Sequence, residues 1–308
     1  EINNVIQGIF WTANKLYGLS FRERTEDYPQ YHKQQQSWDV IDKKGNLIAI
    51  FYSDYYPRDG KGAGAWCGRF RPQSYDGAMR VQPIVTNVCN MTLPAEEGGP
   101  ALQTVDNVLT MFHEFGHALH SFFRDVQYEG TGGVERDFVE LPSQINEHWA
   151  FEPEVLRQYA RHYRTGEVIP QELVEKIDAS SKYGQGFATV EYLAASYVDL
   201  DLHYLTEMPK KLDVMKFQAE KMRKRGMPSQ ILPRYSVTNF SHTMGGGYSA
   251  GYYSYIWAEV LDADAFEAFK ETGDIFNQQV AERFLTEVLT PGGILPGDEM
   301  YRRFRGRD

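Results

Sequence analysis

From Ala101 to the C-terminus the sequence repeats apolar residues at helical spacing, so most of this 308-residue chain cannot belong to an all-β fold. We predict helices over residues 104–123, 142–164, 171–205, 214–225 and 252–270, followed by a further helical stretch at the C-terminus. Residues 2–16 show the same period, and Gly18 is placed to end that first helix. The chain is therefore expected to be mostly α-helical.

Between the first helix and Ala101 lie short runs rich in β-branched and aromatic residues. The predicted strands cover residues 19–24, 38–41, 47–52 and 81–92. They predict one small antiparallel sheet, so the fold class is mostly α with a minor β-sheet. Pro83 lies in the last run, so we expect that strand at a sheet edge, where an extended peptide could pair with it.

Charge and composition exclude several classes of function. The formal net charge of −10 argues against a nucleic-acid partner, because such proteins neutralise phosphates with Lys and Arg. No run approaches the ~20 apolar residues of a membrane span, so we expect no membrane partner. Cys67 and Cys89 are too few for a disulfide framework, which favours a reducing compartment, and we expect the chain to be cytoplasmic. We also expect a monomer. Because the chain begins at Glu1 and not at Met, we expect the natural N-terminus to lie further upstream.

The segment His113-Glu114-Phe115-Gly116-His117 lies inside the predicted helix over residues 104–123. Residues four apart share a helix face, so both imidazoles can bind one metal ion with Glu114 beside it. This arrangement suits zinc, which in catalytic sites usually takes three protein ligands and leaves a fourth position for water. The motif therefore predicts one zinc ion and requires a third ligand from another part of the chain.

A third histidine six positions beyond His117 is excluded, since Phe123 occupies that position. His120 is closer, but we interpret it as non-ligating, because a further ligand would close the water position. Glu140, from the following predicted helical region, is the best candidate. Three other glutamates compete, the first two from a Gly-rich loop that would hold a ligand poorly: Glu129, Glu135 and Glu147.

Two structural predictions follow from residues close to the candidate ligands in sequence. Gly116 within a helix costs up to ~1 kcal/mol relative to Ala, so we expect another backbone to approach it closely. Groups that orient the imidazoles should follow Glu140 in sequence, and three possibilities remain open: Ser143, Gln144 and Glu147.

Three blocks, in this order, resemble the thimet oligopeptidase family (M3) of zinc metallopeptidases: residues 113–117, 137–149 and 245–257. Within the last two blocks, residues 143–149 and 245–255 look most like the bacterial peptidyl-dipeptidases, also called dipeptidyl carboxypeptidases. The resemblance covers essentially the whole chain, whereas family members are about twice as long. It implies that residues 1–308 are the zincin-like catalytic part of a helical ellipsoid with a deep channel, without the parent's N-terminal helical half.

The resemblance also implies roles for the matching residues. His113, His117 and Glu140 become the zinc ligands, and Glu114 becomes the general base. In the resulting hypothesis, zinc lowers the pKa of its bound water to about 7, Glu114 takes the proton, and hydroxide attacks the peptide carbonyl.

Tyr248, Tyr252 and Tyr255 have a simpler explanation from spacing alone, because i, i+4, i+7 also fits a buried aromatic helix face. The adjoining glycines at 245–247 favour instead a flexible loop that closes over a substrate. The resemblance implies that Tyr255 donates a hydrogen bond to the developing oxyanion with His242 nearby. It also implies substrate contacts for Tyr248, Tyr252 and His242.

The predicted function is zinc-dependent hydrolysis of short peptides, with release of C-terminal dipeptides. An endo-acting oligopeptidase of the same family is the first alternative, and it differs in not requiring a free C-terminal carboxylate. The alternative from another class is a non-catalytic domain that binds zinc or peptide. Structural zinc usually has four protein ligands that include cysteine, and neither Cys67 nor Cys89 has suitable spacing.

Overall fold

The computed structural model describes residues 1–96, 98–207 and 209–307, which fold into two compact units. The first unit comprises Glu1–Ile169 together with Glu259–Asp308, and the second is Pro170–Ala258. Helices dominate both units and a small sheet lies in the first, which confirms the predicted fold class. The prediction of one catalytic domain over residues 1–308 stays a prediction.

The strands of the first unit are β1 (Ser20–Glu23), β2 (Gln36–Ile41), β3 (Leu47–Asp54), β4 (Trp66–Arg71), β5 (Ser74–Asp76), β6 (Met79–Val81) and β7 (Ile84–Val88). One sheet has the order β1-β2-β3-β7-β4, and β5 and β6 pair as a separate hairpin. β3 and β7 run parallel, with Ile50 opposite Ile84, whereas the other pairs are antiparallel.

The prediction of a purely antiparallel sheet is therefore wrong at one pairing. After β3 the chain forms β4 at the sheet edge and returns through the β5–β6 hairpin, so β7 enters between them in the direction of β3. The predicted edge at residues 81–92 is also wrong, because β7 lies inside the sheet. Pro83 immediately precedes the paired residues, and its carbonyl accepts a 3.0 Å hydrogen bond from the Ile50 N–H. Its missing N–H therefore does not interrupt β7.

The described helices are α1 (Ile2–Tyr17), α2 (Val105–Phe123), α3 (Leu141–Ala150), α4 (Pro153–Tyr159), α5 (Gln171–Ser181), α6 (Gln185–His203), α7 (Val214–Lys224), α8 (Ser241–Met244), α9 (Ser254–Lys270), α10 (Gln278–Phe284) and α11 (Gly297–Arg305). A π-helical segment, Leu285–Leu289, continues α10. None of these described helices is both long enough and apolar enough to cross a membrane.

Two predicted long helices are each divided in the structure. The helix predicted over residues 142–164 becomes α3 and α4, because Pro153 at the start of α4 cannot continue the hydrogen bonding of α3. The helix predicted over residues 171–205 is divided before α6 by Gly184, whose φ of 74° lies in the left-handed region.

One face of α2 packs against the sheet and α1. Phe115 is 1% exposed, and its ring centroid lies 5.6 Å from that of Phe51 in β3 and 5.9 Å from that of Phe10 in α1. Burying a side chain of this kind contributes about 1.5–3 kcal/mol. The packing therefore fixes the rotation of the helical turn that carries His113 and His117.

The second unit has its own apolar core around α6. One buried cluster consists of Ala194, Val198, Met222 and Val237. A second consists of Ala195, Phe240 and Tyr252, with Tyr192, Tyr235 and Tyr255 packed against it.

Candidate active site

Two histidines of α2 converge on one carboxylate oxygen. The Nε2 atoms of His113 and His117 each lie 3.2 Å from Oε2 of Glu140. One ligand atom from each of these residues lies within 4.8 Å of the others, so among the described residues these three form a group that could hold a metal ion, the candidate metal-binding group. Two imidazoles and one carboxylate are the donors that catalytic zinc takes in several peptidases.

Glu140 is held in place by its own chain segment. It is 1% exposed and directly precedes α3, where Ser143 Oγ lies 2.9 Å from its Oε2. Burial alone would raise the pKa of Glu140, but the charges and hydrogen bonds of His117 and His113 hold it well below its usual range. The carboxyl is therefore ionised, as a metal ligand must be.

The structure separates two of the three possible orienting residues. Oε1 of Glu147 lies 2.7 Å from Nδ1 of His113, on the ring nitrogen opposite the one near Glu140. Ser143 instead contacts Glu140. A carboxylate on the outer imidazole nitrogen fixes the tautomer and the ring direction. The alternative in which Glu147 is the third ligand is therefore not supported by its position.

Glu114 lies beside the histidines and is 5% exposed. Its Oε2 atom is buried and has no hydrogen-bond partner among the described residues. Burial raises the pKa of its carboxyl, and the charges of His117 and His113 offset this only in part. Buried polar atoms normally have a partner, so an unpaired oxygen here is suited to a water molecule or a substrate group.

The close backbone approach predicted at Gly116 is confirmed. A Cβ atom added there would lie 2.3 Å from the Pro142 carbonyl oxygen and 2.6 Å from Ser143 Cα. Glycine thus allows α3 to pack directly on α2, and this contact brings Glu140 to the histidines.

The competing residues lie elsewhere. His120 is 3% exposed and is not part of the candidate metal-binding group. Oε2 of Glu135 accepts a 2.7 Å hydrogen bond from the Gly297 N–H, and Glu129 is exposed in a short 3-10 helix. Neither glutamate contributes to the group around Glu140.

The remaining predicted residues form an aromatic cluster within the second unit. The rings of Tyr248 and Tyr255 stack with centroids 5.3 Å apart, and the His242 ring lies 5.4 Å from Tyr252 and 6.2 Å from Tyr255. Tyr248 and Tyr252 precede α9, which begins at Ser254, so the three tyrosines do not form one helix face. The helix predicted from residue 252 begins later because the preceding residues turn, with Ala250 at a φ of 55°.

Sequence reasoning missed the residues that hold this turn. The two carboxylate oxygens of Asp199 accept 3.0 Å hydrogen bonds from the N–H groups of Ala250 and Tyr252. Tyr192, seven residues earlier on α6, donates its hydroxyl to the Tyr252 carbonyl. The sequence signal was slight, because an Asp within a helix has many possible partners.

Comparison with known proteins identifies the family of this chain. The model of Peptidase family M3 matches residues 1–308. Dipeptidyl carboxypeptidase of Escherichia coli is 41% identical over the whole chain, and oligopeptidase A of Salmonella typhimurium is 38% identical over 99% of it. The chain spans 45% of each of these relatives.

The fold of the chain also resembles that of a solved structure. A Pyrococcus furiosus carboxypeptidase structure superposes with a TM-score of 0.51 at 13% identity, and covers 100% of this chain and 56% of its own. At such identity the match shows a shared fold alone. The family match over residues 1–308 and the relatives at 38–41% identity confirm the resemblance seen in the three sequence blocks: the chain belongs to peptidase family M3.

Proposed function

We propose that this chain carries the catalytic centre of a zinc peptidase that hydrolyses short peptides and releases C-terminal dipeptides. The observation that carries the proposal is the convergence of His113, His117 and Glu140 beside the buried, unpaired carboxylate oxygen of Glu114. An arrangement that only stabilises the fold would gain nothing from leaving that oxygen unpaired.

The donor set fits zinc. His113, His117 and Glu140 would hold the ion, and Glu147 would orient the first of these ligands. When bound, zinc would polarise the peptide carbonyl and lower the pKa of a water molecule. Three protein ligands would leave one position open, as catalytic sites require.

Glu114 supplies the proton transfers in this proposal. Its raised pKa makes it a stronger base toward a proton of the attacking water, and the same carboxyl can pass that proton to the leaving amine. Tyr255 and His242 are proposed as donors to the oxyanion, with Tyr248 and Tyr252 as substrate contacts. The support for these roles is the family resemblance together with the close packing of the four rings.

The sheet edge offers a way to bind varied sequences. β4 pairs with β7 on one side only, so its outer N–H and C=O groups can pair with an extended peptide. The same strand packs against α2, the helix that carries Glu114. Main-chain pairing would bring a peptide bond toward the catalytic carboxylate without reading its side chains.

The test is mass spectrometry of a peptide of about ten residues and its C-terminally amidated twin after incubation with zinc-loaded protein. Stepwise loss of dipeptides from the free peptide alone supports the proposal. Cleavage inside both peptides supports an endo-acting oligopeptidase, the candidate favoured by the similarity to oligopeptidase A. Zinc binding without cleavage supports a non-catalytic binding domain.

A further inference from the structure

Arg124 is a buried cation without an acidic partner. It follows the last residue of α2 and is 6% exposed. Its Nε atom is buried and unpaired, and no described carboxylate forms an ion pair with it. Buried charges are normally paired, so this guanidinium requires a counter-charge that the described residues do not supply.

A second arginine reaches the last turn of α2, which Arg124 directly follows. Arg69 extends from β4 toward α2, where its Nη1 atom lies 3.4 Å from Oγ of Ser121, and no described acid pairs with it either. Burial, followed by the positive charge of Arg69, lowers the pKa of Arg124 to about 10. Both side chains are therefore positively charged at neutral pH and repel each other.

The surroundings do not neutralise these charges. The nearby Asp125 carboxylate contacts Tyr75 Oη at 2.8 Å and Arg80 Nε at 3.8 Å. His120 is buried with an unpaired Nε2, and the charges of Arg124, His117 and Arg69 add to burial in lowering its pKa far below the usual range. The two unpaired cations are notable because the chain carries 42 acidic residues against 32 basic ones.

We propose that Arg69 and Arg124, together with the Ser121 hydroxyl, bind a small anion beside the metal centre. The ligand is a single anionic group, either an inorganic ion of the size of chloride or one carboxylate. A guanidinium from each side and a hydroxyl are suitable donors for such a group. The near-complete burial of Arg124 leaves little room for anything larger.

The position suggests what the anion does. Ser121 follows Glu114 by seven residues on α2, so the two side chains lie on the same helix face about 10 Å apart along the axis. An inorganic anion bound there would offset positive charge near Glu114. If the anion is instead a carboxylate of the peptide substrate, the site would select acidic residues next to the cleaved bond. This second role rests on the proposed peptidase function, whereas anion binding itself does not.

The probe is chloride, measured by line broadening in chlorine NMR and by the thermal unfolding midpoint of the zinc-loaded chain. Sodium chloride is compared with sodium isethionate, a bulkier anion without a carboxylate, at equal ionic strength. We expect chloride to broaden the line and raise the midpoint in the wild type. Arg69→Gln and Arg124→Gln should each weaken chloride binding by roughly tenfold, because a charge-assisted hydrogen bond is lost.

Arg71→Gln is the matched control, because Arg71 is an exposed arginine of the same strand that donates to the Gln82 carbonyl. Arg71→Gln should bind chloride as the wild type does. Chloride that contacts zinc contributes equally to both variants, so the comparison of Arg69→Gln with Arg71→Gln cancels that contribution. Arg69 is exposed, so Arg69→Gln keeps the test valid if Arg124→Gln fails to fold.

Peptide pairs that differ only by Glu or Gln beside the cleaved bond separate the two ligand sources. Preference for Glu that is lost in both site variants identifies a substrate carboxylate. Chloride binding without such a preference identifies an inorganic ion. If chloride and Glu peptides act equally on the wild type, Arg69→Gln and Arg71→Gln, the proposal is overturned.

Discussion

Oε1 of Glu147 lies 2.7 Å from Nδ1 of His113, so one carboxylate outside the candidate metal-binding group directs one of its two imidazoles. We predict that Glu147→Ala lowers zinc affinity by about 10–100-fold, because the ring loses the partner that fixes its tautomer and direction. Competition with a chromophoric chelator measures this. Glu154→Ala, at an exposed position in α4, is the control and should bind zinc normally; equal affinity in both variants would remove the orienting role.

Glu114 is buried beside the histidines without being one of the proposed ligands. We expect Glu114→Gln to bind zinc with nearly wild-type affinity and to lose at least ~10²-fold in kcat, since an amide cannot accept the proton. Zinc content and peptide turnover are measured on the same preparation. Retained turnover would show that another group is the base.

Gly116 faces the backbone of α3 at a distance that no side chain tolerates. Gly116→Ala should destabilise the chain by about 1–3 kcal/mol through overpacking and should weaken zinc binding, because α3 carries Glu140 away from α2. Urea unfolding measures the first effect. Gly130→Ala is the control, since a Cβ there meets no atom within 4 Å, and it should leave both quantities unchanged.

The features of this site that depend on residues close together in the chain could be predicted, whereas those that depend on tertiary packing could not. His113 and His117 could be placed on one face because the helical period fixes residues four apart. Gly116 indicated a close contact but not its partner, since α3 meets α2 through tertiary packing. The choice between Ser143 and Glu147 depended on which rotation of α3 that contact selects, and no local pattern encodes it.

The sheet illustrates the same limit. β3 was predicted because apolar and β-branched residues fill it, whereas β4 was missed because Gly68 and its arginines lack an alternating pattern. The parallel pairing of β3 with β7 arises from the return of the chain through the β5–β6 hairpin. Such a connection is a property of topology, which residue preferences do not specify.

Asp199 holds the turn before α9 through two hydrogen bonds from backbone N–H groups. Asp199→Ala should speed hydrogen exchange at the Ala250 and Tyr252 amides by about tenfold or more, because hydrogen bonds to a charged acceptor are lost. Asp201→Ala is the control: this residue of the same helix pairs with Arg225 and should leave those amides unchanged. Slow exchange in both variants would mean that Tyr192 and packing suffice to hold the turn.

Asp54 makes the stability of the first unit depend on pH. Its buried carboxylate contacts Arg58 at 2.7 Å, Lys61 at 3.0 Å and the Tyr31 hydroxyl at 2.8 Å. Burial would raise the pKa of Asp54, but hydrogen bonds from Arg58, Tyr31 and Lys61 lower it from 3.8 to about 2. A lowered folded-state pKa contributes stability that is present above the unfolded pKa and is lost as pH falls toward the folded value.

Asp54→Asn should therefore cost about 3 kcal/mol or more near pH 6, because Lys61 stays buried beside a neutral amide. We expect roughly 2 kcal/mol of that difference from wild type to disappear as the pH falls from about 4 to about 2, where Asp54 itself becomes neutral. Urea unfolding across this range measures the difference. Asp59→Asn, at an exposed position, should show no such change. Once the wild-type carboxyl is protonated, wild type and Asp54→Asn carry the same charge at this position, so a charge effect must vanish at low pH. If the difference in unfolding free energy instead stays constant with pH, the substitution acts through packing.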